Sequence, residues 1–302
     1  MKKNRTLGTI CAILAACIYG STAILGKASY AEGANTLTLA MFRSLFSLPV
    51  LALILKAKGE SLKVTKHQLA ALAGLGITGA SMTSLFLYGA YNYISVGLTT
   101  CIHFVYPVIV ALIYVTVFHE RISRVKVIAI ILSVVGLLMF LEKNLNLNMT
   151  GIWLAFLSGV AYALYVILMD KGGVSELHPM VIAFYCCCTA SVIMFAYGTA
   201  AGQLTYDMTP RGWVYLFLMA MCVSVGANSM IPVAVKHVGP TATSILGMFE
   251  PISTVILGVL LLNETCTPRG MLGCGLVIGS VVLLTLESHW EKKSEKPVED
   301  EV

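Results

Sequence analysis

The sequence has few charged residues. Asp, Glu, Lys and Arg make up 12% of its 302 residues, against about 25% in an ordinary soluble domain. Hydrophobic residues make up 58% of the chain, and the mean hydropathy is +0.85. This composition excludes an ordinary soluble protein and is typical of a chain that lies mostly within a lipid bilayer.

The sequence also lacks the patterns of a membrane enzyme. It has no HExxH pair, no acidic metal cluster and no Ser or Cys nucleophile near a convincing base. Its nine cysteines form no CxxC pair, and the run 186–188 cannot close on one metal within a helix. No basic stripe with interleaved aromatics indicates nucleic acid. We therefore predict no enzyme, no metal, no cofactor and no nucleic-acid partner.

Long apolar runs recur along the chain. A helix that rises 1.5 Å per residue needs about 20 residues to cross about 30 Å of hydrocarbon. Ten runs approach or exceed that length, so we predict an all-α membrane protein with ten transmembrane helices. The predicted spans are 7–29, 36–55, 67–89, 94–117, 125–141, 151–170, 179–200, 212–235, 240–262 and 270–287.

The amino-terminal run follows Lys2, Lys3 and Arg5, as in a signal peptide, but it stays apolar well past Cys17. We interpret it as the first span rather than as a cleaved signal. At the other end, the charged segment 289–302 is predicted to be a disordered cytoplasmic tail.

Lysine and arginine are distributed unevenly over the predicted loops. Most of the 20 lie in the two tails and in alternate loops on one side, whereas Lys27, Lys143, Arg211 and Arg269 lie on the other. Positive charge is retained in the cytoplasm. We therefore predict that both termini are cytoplasmic and that the chain is integral to the plasma (inner) membrane.

The two halves of the sequence resemble each other. Pairs separated by 142 to 144 positions recur in order: Gly8 and Gly151, Tyr19 and Tyr162, Lys27 and Lys171, Phe42 and Phe184, Gly97 and Gly239, Pro107 and Pro251, Glu120 and Glu264. We predict two five-helix repeats, at 1–143 and 144–288. Because five is odd, the second repeat must be inverted in the membrane. An inverted repeat permits alternating access to one central site.

Short motifs recur in both halves. Tyr106-Pro107 is followed by Phe118-His119-Glu120-Arg121-Ile122, and Phe249-Glu250-Pro251 is followed by Leu262-Asn263-Glu264, each with a glycine-bearing helix after it; Arg43 lies in the second span. Together with the topology, these features resemble the drug/metabolite transporter superfamily, in its ten-helix form with two EamA-type domains. The resemblance implies carriers of amino acids and related metabolites, frequently exporters, with a cavity between the halves.

The predicted function is secondary transport of a small organic solute, with export of an amino acid or metabolite favoured. Uptake of a vitamin, sugar-phosphate or nucleotide-type metabolite and the role of a non-catalytic partner subunit are alternatives. Several phosphates would need more buried cations than Arg43 supplies. The predicted partners are the solute and the lipid bilayer, with protons as a candidate coupling ion, in a monomer or homodimer.

Glu250 is the central candidate. It lies about ten residues into the ninth span, which places it roughly 15 Å deep. A carboxylate there costs about 2.5 to 3.5 kcal/mol, so it should be neutral, paired or facing water. It either lines the cavity and couples transport to protons, or is a neutral acid bonded within the bundle. Pro251 beside it and Pro107 in the other repeat predict hinges.

Arg43 always stays charged. It either anchors a substrate carboxylate or snorkels outward and holds a helix end. His103 and Tyr106 lie on one face of the fourth span, and Tyr106 occupies the repeat position of Glu250. The weaker candidates for the same cavity, about half of which should be packing residues, are Asn228, Tyr88, Tyr19, Tyr162 and Tyr165. We expect the first, third, fourth, sixth, eighth and ninth spans to line it.

Two further patterns predict structure rather than transport. Glu120 and Glu264 lie at span ends beside Arg121 and Arg269, which indicates interfacial salt bridges or residues that fix the loops. Small residues recur every four positions at Gly76, Ala80 and Ser84, and again at Gly275 and Gly279. Such a stripe lets helix backbones approach closely.

Overall fold

The computed structural model describes residues 4–90, 92–94, 96–139, 148–262 and 268–294. Every regular element in these ranges is a helix, which confirms the predicted all-α class. The α-helices are α1 (Arg5–Ala31), α2 (Thr36–Ala57), α3 (Lys66–Leu75), α4 (Thr83–Ala90), α5 (Val96–His103), α6 (Tyr106–Thr116), α7 (Arg124–Leu138), α8 (Met149–Lys171), α9 (Pro179–Ala200), α10 (Pro210–Met219), α11 (Asn228–Val238), α12 (Pro240–Gly247), α13 (Glu250–Leu262) and α14 (Pro268–Ser294). Two π-helices, π1 (Gly76–Met82) and π2 (Ala220–Ala227), join α3 to α4 and α10 to α11.

Eight segments of the described chain are long and apolar enough to cross a membrane. They are Arg5–Ala31, Thr36–Ala57, Lys66–Leu87, Leu98–Thr116, Met149–Lys171, Pro179–Ala200, Pro210–Val238 and Pro268–Glu287. Each corresponds to a predicted span. The predicted fifth span is the 15-residue helix α7, and its predicted end at 140–141 lies outside the described residues. The predicted ninth span is divided into α12 and α13, so the total of ten stays a prediction.

The predicted fourth and ninth spans are not continuous helices. One is interrupted between α5 and α6, the other between α12 and α13. Pro107 and Pro251 are the second residues of α6 and α13. A proline has no N–H to donate, and its ring clashes with the carbonyl four residues earlier. Here those carbonyls belong to His103 and Gly247, the last residues of the helices before each break.

The third and eighth spans contain the π-helices, which sequence analysis did not predict. The wider π-turn inserts an extra residue and is frequent at functional sites. Local hydroxyls bond across it: Ser81 Oγ donates to the Gly76 carbonyl at 2.9 Å, and Thr83 Oγ1 donates to the Thr78 carbonyl at 2.8 Å. Both π-helices occupy corresponding places in the two halves.

Contacts between the helices follow the same correspondence. α2 packs on α9 and α7 on α14, so each packs against its counterpart in the other half. α1 packs on α10, π2 and α11, as α8 packs on α3, π1 and α4. α1 also packs on α12 and α13, as α8 does on α5 and α6. This pattern supports the internal duplication predicted from the sequence.

The two predicted small-residue stripes differ in how closely they pack against other helices. A Cβ placed on Gly76 would lie 2.5 Å from the Thr189 Cβ, so α9 does approach closely there. At Gly275 and Gly279, in contrast, no described atom lies within 4 Å of a Cβ, and the predicted close packing at these two positions is wrong. The tight contact between α7 and α14 is instead at Gly136, whose Cβ would lie 2.8 Å from the Gly273 carbonyl oxygen.

The last helix, α14, extends to Ser294, beyond residue 288, where the predicted disordered tail begins. No Gly or Pro lies between that residue and Ser294 to end the helix. Residues 289–294 are therefore helical in the structure, and 295–302 lie outside the described residues.

Candidate solute site

A cavity of about 190 Å³ lies between the two halves, beside π1 and both helix breaks. The first half contributes side chains from α1, α2, π1, α4, α5 and α6, and the second half from α8, α9, α11 and α13. The lining residues are Tyr19, Thr22, Arg43, Gly79, Ala80, Thr83, Ser84, Leu87, His103, Tyr106, Tyr162, Tyr165, Cys186, Asn228 and Glu250. The second and seventh spans thus join the six that were expected.

One wall of the cavity is aromatic. The ring centroids of Tyr106 and Tyr162 are 4.7 Å apart, and the His103 ring lies 5.6 Å from Tyr106 and 5.7 Å from Tyr162. Tyr165 continues the wall, 5.5 Å from Tyr162. The edge-to-face geometry of the Tyr106–Tyr162 pair is favourable for such rings. The wall therefore joins the broken fourth span to α8 of the other half.

One ring nitrogen of His103 bonds to a neighbouring hydroxyl. Its Nδ1 lies 2.9 Å from Ser158 Oγ, which also lies 2.6 Å from the Ala155 carbonyl. When the Ser158 hydroxyl donates to that carbonyl, Nδ1 of His103 donates to Ser158, and the other nitrogen of the neutral ring, Nε2, is an acceptor. In this tautomer Nε2 can accept a hydrogen bond from a solute.

Two tyrosines also direct their hydroxyl hydrogens to protein groups. Tyr19 donates to Asn228 Oδ1 at 2.5 Å, and Tyr106 donates to the Ser244 carbonyl at 3.1 Å. Both bonds cross between the halves. Their phenolic oxygens remain as acceptors, and the Asn228 amide nitrogen remains as a donor.

Glu250 is the first residue of α13, immediately after the helix break. Its side chain is partly exposed and lines the cavity, and among the described residues no cation or donor bonds to the carboxyl. The Glu250 carbonyl accepts hydrogen bonds from Ser253 Oγ at 2.7 Å and Thr254 Oγ1 at 3.1 Å. Thr254 Oγ1 also lies 3.1 Å from the Gly20 carbonyl, which ties α13 to α1. The carboxyl group thus stands at a helix amino end, where the helix dipole favours negative charge.

Arg43 projects from α2 into the same cavity. Its Nε is buried without a hydrogen-bond partner, and no ion pair to it occurs in the described chain. Among the described lining residues it is the one Arg or Lys. It lies on the cavity wall, and its role as an anchor for a substrate carboxylate stays a prediction.

Eight of the nine predicted cavity residues are therefore brought together; the side chain of the ninth, Tyr88, lies outside the described part of the chain. Sequence analysis missed Thr22, Thr83, Ser84 and Cys186. Small hydroxyl and thiol side chains are common in membrane helices and carry no signal of their own. Ser84 entered the sequence analysis only as part of the small-residue stripe with Gly76 and Ala80.

Polar contacts join the halves at both ends of the bundle, but the space between the helices differs. At one end the halves are joined by hydrogen bonds: Asn35 Nδ2 to the Gln203 carbonyl at 2.5 Å, Thr205 N to Thr38 Oγ1 at 2.9 Å, and Thr209 N to the Glu32 carbonyl at 3.1 Å. At the other end a polar opening of about 560 Å³ separates the ends of α6, α8 and α11. We call this opening the vestibule; Lys126, Asp170, Lys171, Lys236 and His237 are among its lining residues.

Glu120 lies at the vestibule and pairs with Lys171 of the other half, Nζ to Oε1 2.9 Å. The salt bridge predicted there does form, but its partner is Lys171 and not the adjacent Arg121. The Lys171 ammonium also lies 3.4 Å from Asp170 Oδ2, which accepts a hydrogen bond from Tyr114 at 2.6 Å. Glu264 lies outside the described residues, and Arg269 donates to the Leu138 carbonyl at 3.3 Å.

The sequence model of one protein family matches both halves of the chain. The model of the EamA-like transporter family matches residues 6–141 and again residues 149–286. The chain belongs to the EamA-like transporter family. The two matches confirm two repeats of one family domain, and the resemblance to the drug/metabolite transporter superfamily is confirmed with them. This EamA-like protein is thus a membrane transporter.

Two curated relatives illustrate the range of the similarity. The threonine/homoserine exporter RhtA of Escherichia coli strain K12 is 26% identical over 252 residues, which cover 82% of this chain and 81% of RhtA. An uncharacterized transporter of Archaeoglobus fulgidus is 26% identical over 211 residues, covering 70% of this chain and 75% of its own. Both are named as transporters or exporters.

A solved crystal structure has the same fold. It superimposes with a TM-score of 0.80 at 15% sequence identity, and the match covers 95% of the EamA-like protein and 100% of that chain. At this identity the likeness concerns the fold alone.

Proposed function

We propose that this EamA-like protein exports an amino acid or a closely related small metabolite across the plasma membrane by alternating access. The observation that carries the proposal is the cavity between the halves. It collects a cation, a carboxyl group, an imidazole and several phenols from six helices. The 26% identity to a threonine/homoserine exporter supports the same solute class.

The size and charge of the cavity favour a small solute over a nucleotide or sugar-phosphate. Its volume of about 190 Å³ is below the roughly 300 to 1,000 Å³ typical of sites for drug-sized ligands. Arg43 is the one guanidinium or ammonium group on the described wall, and a multiply charged phosphate calls for several. Uptake of a nucleotide-type metabolite is therefore the weaker candidate.

Alternating access would use the two repeats at 1–143 and 144–288 as the moving halves. The vestibule lies at the predicted cytoplasmic end. Polar contacts bridge the halves there, between Glu120 and Lys171, and at the opposite end as well. Pro107 and Pro251 lie at the breaks where the fourth and ninth spans would bend. The described lining of the cavity comes from one chain, which supports transport by a monomer.

Glu250 is proposed as the coupling group. Its carboxyl faces the cavity and has no ion-pair partner among the described residues. It is therefore available to bind either a proton or the solute. Proton release on one side of the membrane and uptake on the other would link solute export to the proton gradient.

Transport is tested in proteoliposomes loaded with radiolabelled L-threonine or L-homoserine, the solutes named for the relative. We expect counterflow that saturates with solute and is absent from empty liposomes. Failure of these and a wider panel of amino acids to exchange would contradict the amino-acid assignment. Flux of a nucleotide or vitamin instead would favour the alternative carrier.

Coupling is tested with Glu250→Gln, which keeps the shape of the side chain but cannot release a proton. We expect solute exchange to persist while uphill transport driven by a pH gradient is lost. Glu60→Gln, in the exposed segment after α2, is the matched control and should behave as the parent. Undiminished gradient-driven transport by Glu250→Gln would exclude the coupling role.

A further inference from the structure

The negative group of the cavity lies beside the aromatic wall. The Glu250 carboxyl is within electrostatic reach of the Tyr19 phenol, as is the Arg43 guanidinium. Glu250 also lies within reach of the phenols of Tyr106 and Tyr162, on the side of the cavity that α6 and α8 form. Arg43 and Glu250 make no ion pair with each other in the described chain. The carboxyl group therefore has tyrosines, and not the arginine, as its nearest polar neighbours.

The tyrosines of the wall differ in how far they open on the cavity. Tyr106 and Tyr165 are only 3% and 6% exposed. Tyr19, Tyr162 and Glu250 are partly exposed, and all three line the cavity. These three side chains are the ones that a solute can contact most directly.

The oxygen atoms of these three side chains are available as acceptors. The Tyr19 hydroxyl donates its hydrogen to Asn228 Oδ1, which leaves its oxygen free to accept. Neither the Tyr162 hydroxyl nor the Glu250 carboxyl has a hydrogen-bond partner in the part of the chain that the structure describes. Neither is one of the buried polar atoms without a partner, so both open on the cavity. Three such oxygens suit a primary ammonium group, which has three donors and no acceptor.

The Tyr162 ring is held in a defined position. Its centroid lies 4.7 Å from that of Tyr106 and 5.5 Å from that of Tyr165. Glycines leave room for these neighbours: a Cβ on Gly79 would lie 2.6 Å from Tyr165 Cγ, and a Cβ on Gly247 would overlap the Tyr106 hydroxyl. An aromatic ring attracts a cation within about 6 Å of its centroid, and a ring fixed by packing loses little freedom when it does so.

We propose that Glu250, Tyr162 and Tyr19 form a subsite for an organic ammonium group, so that the protein also binds small primary amines that carry no carboxylate. The amino end of α13 favours the ionised form of Glu250, which calls for a cation. The proposal rests on the proposed function in placing the solute in this cavity. It extends the substrate class from amino acids to simple amines.

Ligand binding to the purified protein, measured as a shift in its thermal unfolding midpoint, tests the subsite. The probes are L-threonine, 1-amino-2-propanol, which is threonine without the carboxylate, and 3-hydroxybutanoate, which is threonine without the ammonium. We expect threonine to raise the midpoint most, 1-amino-2-propanol to raise it less, and 3-hydroxybutanoate to have little effect, because it brings a second anion to Glu250. Equal shifts with threonine and 3-hydroxybutanoate would overturn the assignment.

Two further probes separate an ammonium subsite from simpler kinds of binding. 2-Butanol has a methyl group in place of the ammonium of 1-amino-2-propanol, and sodium chloride matches the ionic strength of the amine hydrochloride. We expect neither to shift the midpoint. A shift with 2-butanol as large as that with the amine would indicate apolar binding, and an equal shift with sodium chloride would indicate an unspecific cation effect. Either result would overturn the proposal.

Variants of Tyr162 separate the hydroxyl from the ring. We expect Tyr162→Phe to lower the affinity for 1-amino-2-propanol about threefold and Tyr162→Leu about tenfold, because the second change removes the ring as well as the oxygen. Tyr197→Leu is the matched control, since Tyr197 lies on the exposed face of α9, and it should bind as the parent does. An unchanged affinity in Tyr162→Leu would refute the proposal.

Glu250→Gln keeps an oxygen acceptor but loses the charge. We expect its affinity for 1-amino-2-propanol to fall about tenfold, while exchange persists at saturating solute. An unchanged affinity would refute the subsite.

The subsite and the proposed function can fail separately. If 1-amino-2-propanol binds and no amino acid does, amino-acid export is wrong and the ammonium subsite is supported. If amino acids bind and 1-amino-2-propanol does not, export is supported and the subsite is overturned.

Discussion

Tyr19 and Tyr106 each donate a hydrogen bond to a protein group, and His103 does so in the tautomer with its hydrogen on Nδ1, so each can present an acceptor to the cavity. Arg43 and the Asn228 amide are donors. The cavity therefore contains acceptors and donors that the protein itself has already oriented. A solute with both an ammonium and a carboxylate group can satisfy the two sets together, whereas a solute with one of them leaves the other set unpaired.

His103→Asn tests the acceptor set. The asparagine amide can replace the Nδ1 donor to Ser158 but does not extend to the position of Nε2. We expect the thermal midpoint to stay near that of the parent and the Michaelis constant for the amino acid to rise about three- to tenfold. His103→Gln, which reaches further into the cavity, should recover part of the affinity. An unchanged Michaelis constant in His103→Asn would show that Nε2 makes no contact with solute.

The residue scale also shows why the sequence predicted part of the site. A carboxylate or guanidinium deep in an apolar span is costly, so Glu250 and Arg43 could be identified without a structure. Thr83 and Cys186 could not, since small hydroxyl and thiol side chains cost little wherever they point. Whether they face lipid, a neighbouring helix or the cavity depends on helix rotation, which only packing determines.

At the scale of the elements, the breaks before Pro107 and Pro251 are predicted to be needed for movement. Pro107→Ala and Pro251→Ala restore the missing N–H donors and should favour continuous helices. We expect transport to fall about tenfold or more while thermal stability is kept or increased. Pro49→Ala is the matched control, because Pro49 lies inside the uninterrupted helix α2. Full activity in both hinge variants would refute their role as hinges.

A second prediction concerns the contact of α1 with α13. A Cβ on Gly20 would lie 2.8 Å from the Glu250 carbonyl oxygen and 2.9 Å from Thr254 N. We expect Gly20→Ala to lower the free energy of unfolding by about 1 to 3 kcal/mol through overpacking, measured by chemical denaturation in detergent. Gly275→Ala meets no described atom within 4 Å and should be neutral or slightly stabilising. Equal stabilities of the two variants would indicate that α1 and α13 lie further apart than they do in the structure.

The positions of the long helices could be predicted from the sequence because a helix needs a minimum number of apolar residues to cross the bilayer. The interruption of the fourth and ninth spans was visible only as a proline. The π-helices were not visible at all, since an inserted residue in an apolar helix changes neither composition nor length noticeably. The glycines of α14 were misassigned because a small residue permits close packing but does not supply a partner.

At the scale of the whole molecule, the inversion of the second repeat remains a prediction with a direct test. Cysteine-free protein with one cysteine at the amino terminus, or one introduced after residue 144, is labelled in intact cells with an impermeant maleimide. We expect labelling only at the second position, since an odd number of spans separates the two. Labelling of both, or of neither, would contradict two antiparallel repeats and the alternating-access proposal with them.

The extra residue in π1 also determines the direction in which every later side chain of the third span points around the helix axis. Successive helical residues point about 100° apart, so deleting one residue from Gly76–Met82 would rotate α4 by that angle. Thr83 and Ser84 would leave the cavity wall, and side chains now directed toward lipid would replace them. Chain length in this stretch is therefore as strictly constrained as residue type.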